Sequence, residues 1–276
     1  MRLWGIGIIA IVVAALAGAA GATSLITAGA TSLGTAAIRF DDLGACDVAN
    51  PRLAGTDFRW VYTGLFQFEV DTTVPRTGEG AALTIPPGGF AGFCIQLEQP
   101  ATDLSMPYQV VPLADVLTPF GAGGSGTGQE RALLMQNLWA THFEPAWQMG
   151  SSWTTPQRLR AEAFAAALWE IVYETPANGF DVTTGRVRIG SIDTSTANAW
   201  LRGLDPNGPQ TLLRALSNGQ YQDYVTAIPG VGGMQPIGGH APEPVTLAGL
   251  LLGIGTVARY VRRRTARPGP PSRRCT

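Results

Sequence analysis

The sequence predicts an α+β fold: an antiparallel β-sandwich or barrel with an inserted or following small helical bundle. This body is set between an N-terminal signal helix and a C-terminal transmembrane helix. Three observations lead there. Between Phe58 and Leu97, aromatic and β-branched residues alternate with polar ones in short runs broken by Pro and Gly. From Thr127 to Leu216 the apolar period becomes that of helices, with capping residues ahead of the runs. Apolar stretches lie near both ends of the chain, each flanked by arginine.

Met1-Arg2 is a minimal positive start, Ile6 to Leu16 an apolar core, and Ala20-Gly21-Ala22 supplies the small residues of a cleavage site. Residues 1–22 therefore read as a signal peptide, and the mature body, of about 220 residues, can bury one sizeable core. Residues 23–57 open with an Ala/Thr/Ser/Gly-rich stretch and are expected to form a loose lead-in. The body proper spans 58–229. Trp60-Val61-Tyr62, Leu65 to Val70, Ala82 to Ile85, Phe90 to Leu97 and Val110-Val111 read as strands, with a turn at Pro86-Pro87-Gly88-Gly89. Gly121 to Gly128 is a glycine-rich connector that lacks a P-loop Lys.

Thr127-Gly128-Gln129-Glu130 has capping-box spacing for a helix carrying Leu134 and Leu138. Thr155-Pro156 supplies an N-cap and first helical residue for a second helix, 156–174. Its apolar stripe is Phe164, Leu168, Ile171 and Val172, widened by Trp169 and Tyr173. A third helix is expected over 196–204 and a fourth over 210–216, ended by Asn218-Gly219; Tyr221 to Ile228 reads as a closing strand. Residues 230–241 are a Gly/Pro linker.

The whole chain has 19 basic and 20 acidic residues, and all the basic ones are Arg. Without Arg2 and the seven arginines beyond residue 242, the body 23–242 holds 11 Arg against 19 carboxylates, a formal charge of −8. An acidic body argues against nucleic acid as a partner. Of three cysteines, Cys275 lies in the tail, and Cys46 and Cys94 are a possible disulfide in an oxidising compartment. Their spacing fits no metal template, and His142 and His240 stand alone, so neither a metal nor a cofactor is expected.

After the linker come Pro242-Glu243-Pro244, an apolar run from Val245 to Ala258, then Arg259 and Arg262-Arg263-Arg264. The arginines would stay on the cytoplasmic side, because carrying several guanidinium groups through lipid is costly. Residues 242–264 resemble the PEP-CTERM sorting signal, and 265–276 form a basic tail past the point where such signals usually stop. The resemblance implies that an exosortase reads and removes the segment, after Sec-dependent export and signal peptidase cleavage. A plain tail anchor is the other reading of the same residues.

Phe93-Cys94-Ile95 and Phe164-Ala165-Ala166-Ala167-Leu168-Trp169-Glu170 resemble the two signature segments of bacterial surface thioester domains. In that family a strand Cys condenses with the Gln of a Thr-Gln-x-Ala-aliphatic-Trp helix. Aligned on the Trp, Phe164 takes the Thr position, Ala167 the Ala, Leu168 the aliphatic residue and Trp169 the Trp. Ala165 stands where the reactive Gln would be, and a methyl group offers no acyl carbon. Ala199-Trp200-Leu201 and Tyr221-Gln222-Asp223-Tyr224 also resemble PEP-CTERM proteins carrying this domain. Cys94, Ala165 and Trp169 are thus a degenerate thioester site, with Cys94 either a free relic thiol or bonded to Cys46.

The expected function is that of an exported cell-surface or extracellular-matrix protein, associated with biofilm or exopolysaccharide, structural or adhesive and not catalytic. Two alternatives stand beside it. One is a secreted carbohydrate-active or hydrolytic enzyme drawing on Glu144, Glu162, Glu170 or Glu174, of which Glu170 and Glu174 read as solvated helix surface. The other is a covalent adhesin joining Cys94 to a different Gln, such as Gln136, which reads as a surface helix residue. Trp147 and Trp153 flank a Gly-Ser-Ser loop and are candidate surface aromatics.

Overall fold

The computed structural model describes residues 30–228, apart from 43, 59–60, 84–89, 118–127, 150–152 and 176–178. The expected signal helix, linker, Pro242-Glu243-Pro244, membrane helix and arginine cluster lie outside the described residues. Among the described residues no helix is long and apolar enough to cross a membrane.

The strands are β1 Gly34–Asp42, β2 Cys46–Ala49, β3 Arg52–Leu53, β4 Thr56–Asp57, β5 Val61–Gly64, β6 Phe66–Val70, β7 Thr77–Gly78, β8 Phe90–Cys94, β9 Met106–Pro112, β10 Val187–Arg188, β11 Leu213–Ser217 and β12 Tyr224–Ala227. The helices are α1 Leu113–Val116, α2 Gly128–His142, α3 Thr155–Tyr173 and α4 Thr194–Arg202. Six strands close on themselves in the order β1-β6-β8-β12-β11-β9, all pairs antiparallel. The sandwich-or-barrel alternative thus resolves as a barrel, which leaves no open sheet edge.

β1 closes the ring. Its first half pairs with β9 (Gly34↔Val110 to Ile38↔Met106) and its second half with β6 (Ile38↔Val70 to Phe40↔Phe68). The expectation of a loose lead-in over 23–57 is thereby corrected for its described part, where β1 to β4 form. The Ala-rich composition has another cause: Ala36, Ala37 and Ile38 are at most 4% exposed, Ala36 and Ala37 paired with β9 and Ile38 with both β9 and β6. At Gly34 even a methyl group would lie 2.2 Å from the Thr77 carbonyl oxygen, so the β1–β7 approach requires glycine.

Two further segments differ from expectation. The stretch expected as a helix over 210–216 forms β11, paired with β9 and β12. Leu213-Arg214-Ala215-Leu216 has good helix formers, but a run this short is marginal as a helix, and two barrel ladders decide its state. Glu79–Ala82 is a turn of 3-10 helix, where Ala82 had been assigned to a strand; residues 84 and 85 lie outside the described residues.

The barrel interior is aromatic. Phe68 stacks on Phe90 with ring centroids 5.3 Å apart and meets Tyr224 edge-on at 4.6 Å; Tyr224 also touches Phe66 and Tyr108. Outside it, α3 runs between α2, α4 and the separate β2–β5 ladder. From Ala161 to Tyr173 every residue of α3 is buried, so the helix is enclosed on all sides rather than along one stripe. Thr154 caps it, accepting the Gln157 N–H while Gln157 returns a contact, so the helix starts one residue earlier than expected. Asp193 caps α4 by accepting the Thr196 N–H.

Candidate functional site

Cys94 is the last residue of β8 and lies opposite Tyr224 of β12. Side chains alternate along a strand, and the structure shows which side is which. Phe93 meets Phe164 of α3 at 4.9 Å and Trp139 of α2 at 5.6 Å, so it faces the helices. Cys94 shares the other face with Tyr224, the face toward the barrel interior.

Cys94 and Trp169 are nevertheless brought together. The Trp169 indole N–H donates to the Cys94 carbonyl at 2.9 Å, and the Cys94 thiol donates to the Gln96 carbonyl at 3.1 Å. The following segment is stitched between α3 and β12. Leu97 N–H donates to the Tyr173 hydroxyl (2.8 Å), which donates to Glu98 Oε2 (2.6 Å). Gln222 reaches the Gln96 carbonyl with its side-chain amide (2.8 Å) and the Pro100 carbonyl with its backbone N–H (3.0 Å). Ala165 is buried one helical turn before Trp169, on the same face.

Burial pushes the Cys94 thiol well above its ordinary range. A nucleophilic or metal-binding cysteine needs the thiolate, so this environment opposes both roles. Asp223, fully buried beside this segment, is pushed up to about 6 by burial, although it accepts from the Ser217 hydroxyl and the Asn218 N–H, both at 2.9 Å. The disulfide considered between Cys46 and Cys94 is not formed; Cys46 sits opposite Gly64 in the β2–β5 ladder while Cys94 belongs to the barrel.

The carboxylates of the enzyme alternative are placed differently from expectation. Glu170 and Glu174, expected on solvated surface, are 1% and 6% exposed, and Glu162 is buried as well. Glu170 accepts the Asp181 N–H at 2.8 Å, and Glu174 accepts the N–H groups of Arg186 and Val187. Periodicity missed this because α3 has no solvent face from Ala161 onward. Glu144 pairs with Arg160, Gln136 is half-buried, and His142 stacks on Trp200 at 4.9 Å. Burial, with Arg160 nearby, lowers the His142 pKa. Trp147 is fully buried against Phe93 and Phe164, and Trp153 is half-buried, so they do not form a surface aromatic pair.

Sequence reasoning gave no sign of a cleft on the barrel wall lined by Arg39, Glu69, Asp71, Thr72 and Ser105. There Asp71 accepts from Thr73 and from the Ser105 hydroxyl, and these bonds, with that to Thr73 foremost, lower its pKa. These residues come from β1, β6 and two loops, and only the fold collects them.

No protein-family model matches this chain, and neither does any curated protein or solved structure.

Proposed function

We propose that this chain is an exported surface or matrix protein whose body is a non-catalytic scaffold of the thioester-domain type. The sequence from Pro242 to Arg264 supports export and sorting, with Glu243 at the recognition point of an exosortase-type enzyme. The observation that carries the non-catalytic reading is the surroundings of Cys94. Its thiol is enclosed and donated to the Gln96 carbonyl, and the adjoining turn of α3 offers the methyl of Ala165. Trp169 bonds to the Cys94 carbonyl, Ala165 lies one turn before it on α3, and a methyl group at that position cannot react. The fold remains as the product, a barrel braced by helices and presented on a Gly/Pro linker, with exopolysaccharide or another matrix component as its partner.

The test is processing. In a native host, Glu243→Ala is expected to leave an uncleaved precursor in the inner membrane, while the unaltered chain is released with its C-terminus near residue 242. Normal release of the Glu243→Ala protein would leave only a generic anchor. The mature mass decides the state of Cys94: a value equal to the sequence mass, without loss of ammonia or of two hydrogens, is expected.

A further inference from the structure

The C-terminal end of α3 carries two buried carboxyl groups, Glu170 in its last turn and Glu174 at its C-cap, that play no part in the site around Cys94. Both point at one segment. Glu170 Oε1 accepts the Asp181 N–H, and Glu174 Oε1 accepts those of Arg186 and Val187. The segment 181–189 is otherwise held by Val182 N–H to Asn198 of α4 (3.0 Å), by the Asn198 amide donating to Asp181 (2.8 Å), by Ala54 N–H to the Arg186 carbonyl (2.7 Å), by its own Ile189 N–H to Val182 contact, and by the β10–β3 pair. It buries Val182, Val187 and Ile189 completely. It is a flap fastened to a helix by carboxyl oxygens.

The two fastenings are not equivalent. Glu174 holds two backbone donors on one oxygen, whereas Glu170 Oε2 is buried and meets no donor among the described residues. An ionised carboxylate in that position would leave a charged oxygen unsolvated. A neutral carboxyl carries its proton on Oε2 and still accepts the Asp181 N–H on Oε1.

The acidic neighbours of Glu170 favour the same state, and the arginines nearby are engaged with other groups. Glu174 on its own helix and Asp181 on the flap are both acidic and both disfavour a further negative charge. Arg131 of α2 reaches this end of α3, where it donates to the Ile171 and Glu174 carbonyl oxygens. Arg186 on the flap acts on Arg131, and Arg202 of α4 acts on Asp181. On β3, Arg52 pairs with Asp57.

We propose that Glu170 is a protonation-gated latch: its neutral carboxyl holds the segment 181–189 against α3, and ionisation loosens it. Burial raises the carboxyl from its ordinary 4.5 to about 8 in the closed form. A group raised on closing stabilises the closed form fully below 4.5 and progressively less as pH rises through 8. Opening is therefore expected to become about tenfold more frequent per pH unit between roughly 5 and 8, and to level off above that. A protein presented outside the cell meets its surroundings' pH directly, so the flap would be tighter in acid than at neutrality.

Native-state amide hydrogen exchange on the intact body tests this at the Asp181, Arg186 and Val187 amides. Their protection factors should fall about tenfold per pH unit from 5 to 8, and Glu170→Gln, a permanently neutral mimic, should abolish that slope while keeping the protection. A flat wild-type profile, or an unchanged slope in Glu170→Gln, overturns the proposal. If the variant does not fold, the 13C titration of the Glu170 carboxyl in the wild type decides. A midpoint near 8 supports the latch, and one below about 5.5 overturns it.

Discussion

Replacing Phe164 by Ala removes the ring at which five others meet. Phe93 lies 4.9 Å from it, Trp147 5.6 Å, Trp139 5.7 Å, and Phe143 and Trp200 both 6.2 Å. These come from β8, α2, the residue just after α2, α4 and the 3-10 turn Pro145–Met149, so the ring ties the barrel to its helical layer. Phe164 is fully buried, and truncating a buried Phe costs about 3–5 kcal/mol. Edge-to-face contacts worth about 0.5–1.5 kcal/mol each place this site toward the upper end. At about 2–4 °C per kcal/mol for a domain of this size, Tm should fall by roughly 6–20 °C. Leu159 lies on the same helix but is 43% exposed, and Leu159→Ala should change stability by no more than about 0.5 kcal/mol. Calorimetry and urea melts on both variants give the comparison. A loss below about 1 kcal/mol for Phe164→Ala, or equal losses for the two, would refute the assignment of this ring as the junction.

Trp169→Phe keeps most of the buried ring but leaves the Cys94 carbonyl without its indole donor; a loss of about 1–3 kcal/mol in a denaturant melt is expected. Asp223 is raised from 3.8 to about 6, so its contribution is complete below 3.8 and lost as pH rises through 6. Stability should drop by about 3 kcal/mol across that window, at 1.36 kcal/mol per unit. The Asp223→Asn variant should lack the drop, and equal pH profiles for the two proteins would remove Asp223 as its source.

The elements that could be read from the sequence are those with a strong local period or cap. Phe66, Phe68 and Val70 alternate because β6 has one aromatic face, and α3 is announced by its Thr154 cap, its Pro156 and a long apolar run, although burial on all sides from Ala161 to Tyr173 hides which face is which. What escaped was set by two neighbours at once. β1 is shared between β9 and β6, and Ala36-Ala37 looks like low-complexity lead-in until their partners Tyr108 and Pro107 are in place. β11 is chosen by β9 and β12 against its own helix propensity. Glu170 and Glu174 looked solvated because one-turn spacing on a helix usually is; the flap 181–189, which shares no local pattern with α3, buries them. Of the proposed thioester-type site, the Cys94–Trp169 contact agrees with the expectation that placed the two together. The side of the strand on which the thiol lies was not legible, because that depends on where Phe93 finds its rings.

That last point sharpens the test of the missing Gln. Trp169 touches the Cys94 backbone, and Ala165 lies one turn earlier on the same face of α3, about 5–6 Å away. A Gln side chain at 165 spans such a distance. In Ala165→Gln the Cys94 sulfur would bond to the side-chain carbonyl carbon, the carbon–nitrogen bond would break, and the thiol proton would leave with the amide as ammonia. Two features oppose this. Residue 165 is 1% exposed, so a larger side chain costs about 1–3 kcal/mol in overpacking. The thiol also shares the face of Tyr224 and donates to the Gln96 carbonyl, a bond it must give up to react at residue 165. Reaction should therefore be partial and slow, visible by mass spectrometry of folded Ala165→Gln as a fraction lighter by one ammonia. That fraction should gain the mass of methylamine when the amine is added. Folded Ala165→Gln at full mass after prolonged incubation, unreactive to methylamine, would mean that the strand's alternation rules. Cys94 would then be a core residue of the barrel, with no residual link to thioester chemistry.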